Sequence, residues 1–219
     1  MTIVELCNRA LDIIGQGAMI ESLDEVSPEA EMCKRHFMPT YLMALDMFNW
    51  SFARRDEIID EENLLSDVTV LPYLHAYELP EDVMRILYLT ELDAPSRIES
   101  VGFRDGIPFN FRNYDGKKVL ATDHRPGFVV HYQATIEDIN LCPPLFLGAL
   151  TNLLAAELAA SSIGSNDRVN ISNKMRQVAL ALMTQAAAND AQQGAYVVDN
   201  NKHSRFIDVR TSRGRRKWR

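Results

Sequence analysis

The sequence predicts an α+β fold, mainly α: a four-helix bundle built from both chain ends, a central β insertion, and an extended basic C-terminal arm. Three observations carry this expectation. Helix-start signals followed by apolar residues at helical spacing occur only near the two ends of the chain. Between them, from about Trp50 to Thr135, short segments alternate with turn residues such as Asp105-Gly106, Asp115-Gly116 and Pro126-Gly127. From Lys202 to Arg219 the chain carries eight basic residues and one acidic residue, a net +7, which leaves −14 on the rest of a chain whose total is −7.

The first helix begins at Thr2-Ile3-Val4-Glu5, a capping box in which Thr2 caps free amides and Glu5 reaches back to it. Leu6, Ala10, Leu11 and Ile14 follow on one face, and Gly15 stands where a left-handed cap is expected. The second helix starts at Ser27-Pro28 and carries Ala30, Cys33, Phe37, Tyr41, Ala44 and Phe48 on one stripe. Pro39 lies inside it and predicts a kink near 35–39. In the β region the expected strands are Arg85 to Leu92, Lys118 to Ala121 and Phe128 to Gln133, with a hairpin tip at Asn113 to Lys117. Pro143-Pro144 then opens a third helix bearing Phe146, Leu150, Leu153, Leu154 and Leu158. A fourth, from about Ser165 to Ala191, places Met175, Val178, Ala179, Leu182 and Ala186 on one face. The resulting division is a body over 1–194, with helices within 2–48 and 143–191 and the β-rich insertion at about 50–135, and an arm over 195–219.

Composition, at 47% hydrophobic and 24% charged, is that of a folded globular chain. No apolar run approaches the ~20 residues that cross a bilayer, and the first residues lack a basic start and apolar stretch, so the expectation is a protein that stays in the cytoplasm where it is made, without a membrane partner. Cys7, Cys33 and Cys142 are too widely spaced for a disulfide framework or a paired-thiolate zinc site and read as buried apolar residues.

Catalysis requires a constellation of groups, and the common ones fail. Cys33 and His36 share a helix face without a second ligand pair. Gly15-Gln16-Gly17 follows a helix where a dinucleotide loop follows a strand. Ser161-Ser162-Ile163-Gly164 lacks the first glycine of a nucleophile elbow. The acidic cluster Asp56, Glu57, Asp60, Glu61 and Glu62 could serve a carboxylate-based hydrolase or a divalent metal, but its polar flanks favour a solvated loop. The expectation is no enzyme, no cofactor and no metal.

The order of several short motifs resembles a known family. Leu11-Asp12-Ile13-Ile14-Gly15, Ile20-Glu21-Ser22-Leu23-Asp24-Glu25 and Phe48-Asn49-Trp50-Ser51-Phe52-Ala53-Arg54-Arg55 are followed by Tyr77-Glu78-Leu79-Pro80-Glu81-Asp82-Val83-Met84-Arg85-Ile86. Val130-His131-Tyr132 and the run from Leu145 to Ala159 complete the series. This order is similar to the head-to-tail adaptors of short-tailed bacteriophages, also called tail tubular protein A, and covers most of residues 3–190. The resemblance implies a virion protein at the head-tail junction: a ring of self-associated subunits, commonly twelve, that docks on the portal protein ring, carries the tail nozzle or tube on its other face and lets genomic DNA pass. It implies no catalytic residue. A body of −14 suits the wall of such a channel, because it should repel DNA phosphates.

Lateral association is expected through the alanine-rich faces of the third and fourth helices, with Ala156 and Ala181 as candidate seam residues. Trp50 and Phe52 are expected to anchor the core where helices meet the β region. Arg205, Phe206, Arg210, Arg213, Arg215, Arg216, Lys217, Trp218 and Arg219 are expected to bind the portal or a neighbouring subunit, with arginine forks pairing carboxylates and the aromatic groups filling pockets. The alternative for the arm is nucleic-acid binding.

Overall fold

The structure, a computed structural model, describes residues 1–17, 19–65, 68, 70–92, 107–161 and 166–193. The arm residues singled out above, from Arg205 to Arg219, lie outside them.

Helix α1 spans Ile3–Ile13. The Thr2 hydroxyl accepts from the Glu5 amide while the Glu5 carboxylate accepts from the Thr2 amide, the expected capping box. At its end Gly15 has φ +78°, and the Gly15 and Gln16 amides donate to the carbonyls of Asp12 and Leu11, a Schellman closure that needs a residue free to adopt the left-handed region. Helix α2 spans Pro28–Asp46, with the Ser27 hydroxyl accepting from the Ala30 amide. The helix continues through Pro39; Pro39 is exposed, so the carbonyl it leaves without a donor is on the solvent side. A 3-10 turn over Ser51–Ala53 leads to six strands: β1 Arg54–Ile59, β2 His75–Glu78, β3 Val83–Glu91, β4 Asn110–Tyr114, β5 Lys117–Thr122 and β6 Phe128–Ala134. Helices α3, Pro144–Ser161, and α4, Asn166–Gln193, complete the described chain.

The bundle with a single central insertion is not what forms. Among the described residues there are four α-helices and two three-stranded antiparallel sheets, about 49% helix and 23% strand. One sheet has the order β1-β6-β3 and the other β2-β5-β4. They share a core of their own, in which Ile59, Phe128, Val130 and Tyr132 of the first sheet meet Tyr77 and Leu120 of the second. The rings of Tyr77 and Phe128 lie edge to face at 5.2 Å. A further small cluster, Val70, Ala76, Val119 and Ala121, backs the second sheet. The β region is thus a second packed body with a core separate from the helical one.

The helices also differ from a bundle of equal members. Helix α3 packs against α1, α2 and α4 and is buried on almost every side, from Phe146 to Ala159. It is long and apolar enough to cross a membrane by length and composition alone, and its burial here gives that composition its role as the central core helix. Helix α2 runs antiparallel to it: Met32 reaches Ser161, while Tyr41 meets Phe146. Helix α4 is antiparallel too, with its Ser172 hydroxyl donating to the Ala156 carbonyl near one end and Asp190 reaching the Ser51 turn at the other.

Two of the six strands escape the sequence pattern. β1 reads Arg-Arg-Asp-Glu-Ile-Ile and buries only Ile59, because it is an edge strand, where charges discourage pairing with another chain. β2 is only four residues long. The β4–β5 hairpin is where the sequence puts it, with Asp115 at φ 48° and Gly116 at φ 77°, both left-handed as a tight hairpin turn requires.

Candidate assembly surfaces

Helix α4 buries one stripe, Ser172, Ala179, Met183, Ala186 and Asp190. Its remaining surface is unusual in chemistry. From Gln177 to Gln193 the one charged residue is Asp190, where a stretch of 17 residues at the chain's 24% charged content would carry about four. Asp190 is buried, and its carboxylate accepts both the Ser51 amide, at 2.5 Å, and the Ser51 hydroxyl, at 2.6 Å. Val178 and Leu180 stay 39% and 47% exposed on opposite flanks of the buried stripe, with Ile171 on the Val178 side and Val169 on the Leu180 side. Val178 was expected on the buried stripe; the stripe instead runs through Ala179 and Met183, about one residue's turn away. Depletion of charge on an exposed face is the compositional mark of a surface that another protein covers.

Helix α2 carries a second such face. Its buried stripe, Ala30, Cys33, Phe37, Tyr41 and Ala44, lies on the helical core. On the outward side Met38, Leu42 and Met43 are exposed, within a stretch from Phe37 to Leu45 that has no charged residue. Sequence reading found the inward stripe and missed the outward one, although the absence of charge over nine residues is visible in the sequence.

Of the two candidate seam alanines, Ala156 is fully buried against α4 and cannot lie on an outer surface, whereas Ala181 is exposed. Trp50 is 1% exposed; its indole nitrogen donates to the Ala44 carbonyl at 3.1 Å, and its ring meets those of Phe48, Phe52 and Phe146 at 5.0–5.5 Å. Phe52 is partly buried on the same cluster. Arg85 links the sheet to the end of α2, donating to the Asp46 carbonyl and carboxylate and to Asn49.

The acidic cluster does not form one site. Asp56 and Glu57 belong to β1, and Asp60 caps a 3-10 turn over Glu61–Asn63 by accepting from the Glu62 amide. Asp56 is instead the end of a row across three strands. Its carboxylate lies 2.6 Å from His131 Nδ1, His131 Nε2 lies 2.9 Å from the Thr90 hydroxyl, and the Tyr88 ring stacks on the imidazole at 4.3 Å. An ionised carboxylate only accepts, so Nδ1 carries the proton and, in the neutral ring, Nε2 accepts from Thr90. Asp56, His131 and Tyr88 are directly paired in the strand register, the arrangement by which cross-strand side chains stabilise a sheet. Their separation in sequence hid the row.

The cysteines are free and buried. Cys7 and Cys33 hydrogen-bond each other in the helical core, which together with burial pushes the Cys7 thiol up. Burial likewise raises Cys142, which sits 3.7 Å from the Tyr41 hydroxyl. No group of three metal-ligating side chains occurs among the described residues. A cleft of about 480 Å³ lies beside the α1–α2 loop, lined by Asp24, Glu25, Glu31 and Lys34 among others. Its charges are already engaged: Lys34 binds Asp24 and holds its carboxyl below the usual range, and the Ser27 hydroxyl does the same for Glu25.

No protein-family model matches the chain, and no curated protein matches it significantly.

Proposed function

We propose that this chain is a structural subunit of a tailed bacteriophage, a head-to-tail adaptor that joins a ring of its own copies to the portal ring on one side and to the tail nozzle or tube on the other. The observation that carries the reading is the uncharged, partly apolar outer face of α4, which suits a subunit that is covered by protein in its working state. The ordered motifs that resemble the adaptor family support it, and they fall at structural junctions: the Gly15 helix end, the Trp50 to Arg55 entry into β1 and the start of α3. The −14 body favours a channel wall along which DNA slides without binding.

The test is co-sedimentation of the purified full-length chain with the portal ring of the same particle. The adaptor reading expects several copies per portal ring, retained at moderate salt. If the chain ignores the portal and binds duplex DNA with steep salt dependence, it is a nucleic-acid-binding protein acting through its basic arm. A hydrolase is the remaining reading, and the Asp56–His131–Thr90 row is what favours it, since a carboxylate, an imidazole and a hydroxyl in that sequence can activate the hydroxyl. Turnover of an activated ester that is lost in His131→Gln would establish it.

A further inference from the structure

Helix α4 ends beside the start of β1. Asp190, three residues before the end of α4 at Gln193, accepts from the amide and the hydroxyl of Ser51, and Ser51 lies three residues before Arg54, where β1 begins. Residues 194–219 lie outside the described residues, and they leave the fold from this point. β1 has an open edge there: it pairs with β6 on one side, and no other described strand pairs with it. Its Ile58 is 55% exposed. From Asp56 to Glu62 the chain carries five carboxylates and no cation. Asp56 is engaged by His131, whereas Glu57, Glu61 and Glu62 make no ion pair among the described residues. We propose that the C-terminal arm seats on its own subunit: Tyr196 to Val198 add a parallel strand to the open edge of β1, and Lys202 and Arg205 pair with Glu61 and Glu62 beyond it.

The occupant is this arm because position, residue type, length and charge agree. Gly194 permits the chain to turn out of the helix, and tyrosine and valine at 196–198 favour a pleated strand. At about 3.3 Å per residue β1 is about 20 Å long, and the stretch from Gln193 to Arg205 reaches about 40 Å. One extended pass therefore carries the basic residues past Ile59 to the acidic turn over Glu61–Asn63. Apolar residues come first and cations second on the arm, just as β1 precedes Asp60 to Glu62. The arm has no cation before Lys202, so none meets Arg54 and Arg55 at the entry. The charges of β1 discourage an acidic strand from another chain and admit a basic one. Tethering beside Asp190 presents the arm to β1 at an effective concentration on the order of millimolar, which a free strand of another protein does not reach. The arm is then withheld from other partners until one displaces it. On the adaptor reading that partner is the portal ring, and only this consequence rests on that reading.

Amide hydrogen exchange on the full-length chain alone, in dilute solution, tests the self-docking without the portal. Tyr196 to Val198 are expected to exchange at least about tenfold more slowly than an unstructured chain, with the open-edge amides of β1 protected alongside them. Val197→Pro with Val198→Pro removes two adjacent amides, one of which faces β1 whichever way the strand lies, and should release both segments. Glu61→Lys with Glu62→Lys, in an exposed turn, should release the arm while the amides of α3 stay protected, which shows the body folded. Exchange of Tyr196 to Val198 at the unstructured rate in the unaltered chain would overturn the proposal, and so would protection that survives either double variant. Protection that grows with protein concentration also overturns it, since the arm then seats on another molecule. Portal binding enters none of these readouts, so failure of the adaptor reading and failure of this one are told apart.

Discussion

Helices α3 and α4 are neighbours in sequence and in space, both rich in alanine, yet they use it in opposite ways. In α3 the alanines Ala149, Ala155, Ala156 and Ala159 are buried, and they let three other helices approach a central one closely. In α4 only Ala179 and Ala186 are buried; Ala181 and Ala188 face outward beside Val178 and Leu180. One helix is finished by the subunit's own folding, and the other is left half covered. The difference separates what stabilises a subunit from what is available for assembly, and composition alone does not draw that line.

Substitutions on the two helices should therefore be read by different measurements. The largest loss of stability is expected from Phe146→Ala in α3, which removes a fully buried ring in contact with Tyr41, Trp50 and Phe52: about 3–5 kcal/mol by denaturant unfolding. Ala156→Leu follows, because added methylenes between α3 and α4 have no space, and about 1–3 kcal/mol should be lost in the free subunit. Asp190→Ala, on the buried side of α4, strands the Ser51 amide and hydroxyl and should cost about 1–3 kcal/mol in the same assay.

A pH titration tests the two cores together. Burial raises the phenols of Tyr41 in the helical core and Tyr77 in the β core, and pushes Tyr132 up to about 12. A raised folded-state value keeps the proton on the native state, so this stability is fully present below the unfolded phenol value of about 10 and is lost as pH rises through the folded values. Unfolding midpoints should fall progressively above pH 10; a midpoint that stays flat to pH 12 would contradict the burial. The smallest effect on folding is expected from Val178→Asp or Ala181→Leu on the outer face of α4, within about 0.5 kcal/mol in the free subunit. If either destabilises the monomer as much as Ala156→Leu does, the contrast between the two helices fails.

Much of the helical part was legible from sequence because its signals are local. Thr2 with Glu5, Ser27 with Pro28, and Gly15 act within a few residues, and the α2 stripe is a simple periodic pattern. The β body was legible only in part. A charged edge strand such as β1 shows no alternation, because one of its faces is solvent and the other meets the core only at Ile59. That the β region has its own core, and is not an appendage to a bundle, depends on contacts between Tyr77, Leu120 and Phe128, which are far apart in sequence. The same holds for Asp56, His131 and Thr90. For the assembly surfaces the inward faces were found by periodicity, but the outward ones emerge only when exposure is known, since Val178 and Ala179 look alike in sequence and point in different directions.

The most direct test of the account is the number and placement of copies of this chain at the head-tail junction of the assembled particle, seen by cryo-electron microscopy. The account predicts a closed ring between portal and tail in which the outer face of α4, around Ala181 and Ala188, is covered by protein. A single copy at the junction, or a ring in which that face of α4 stands in solvent, would contradict it.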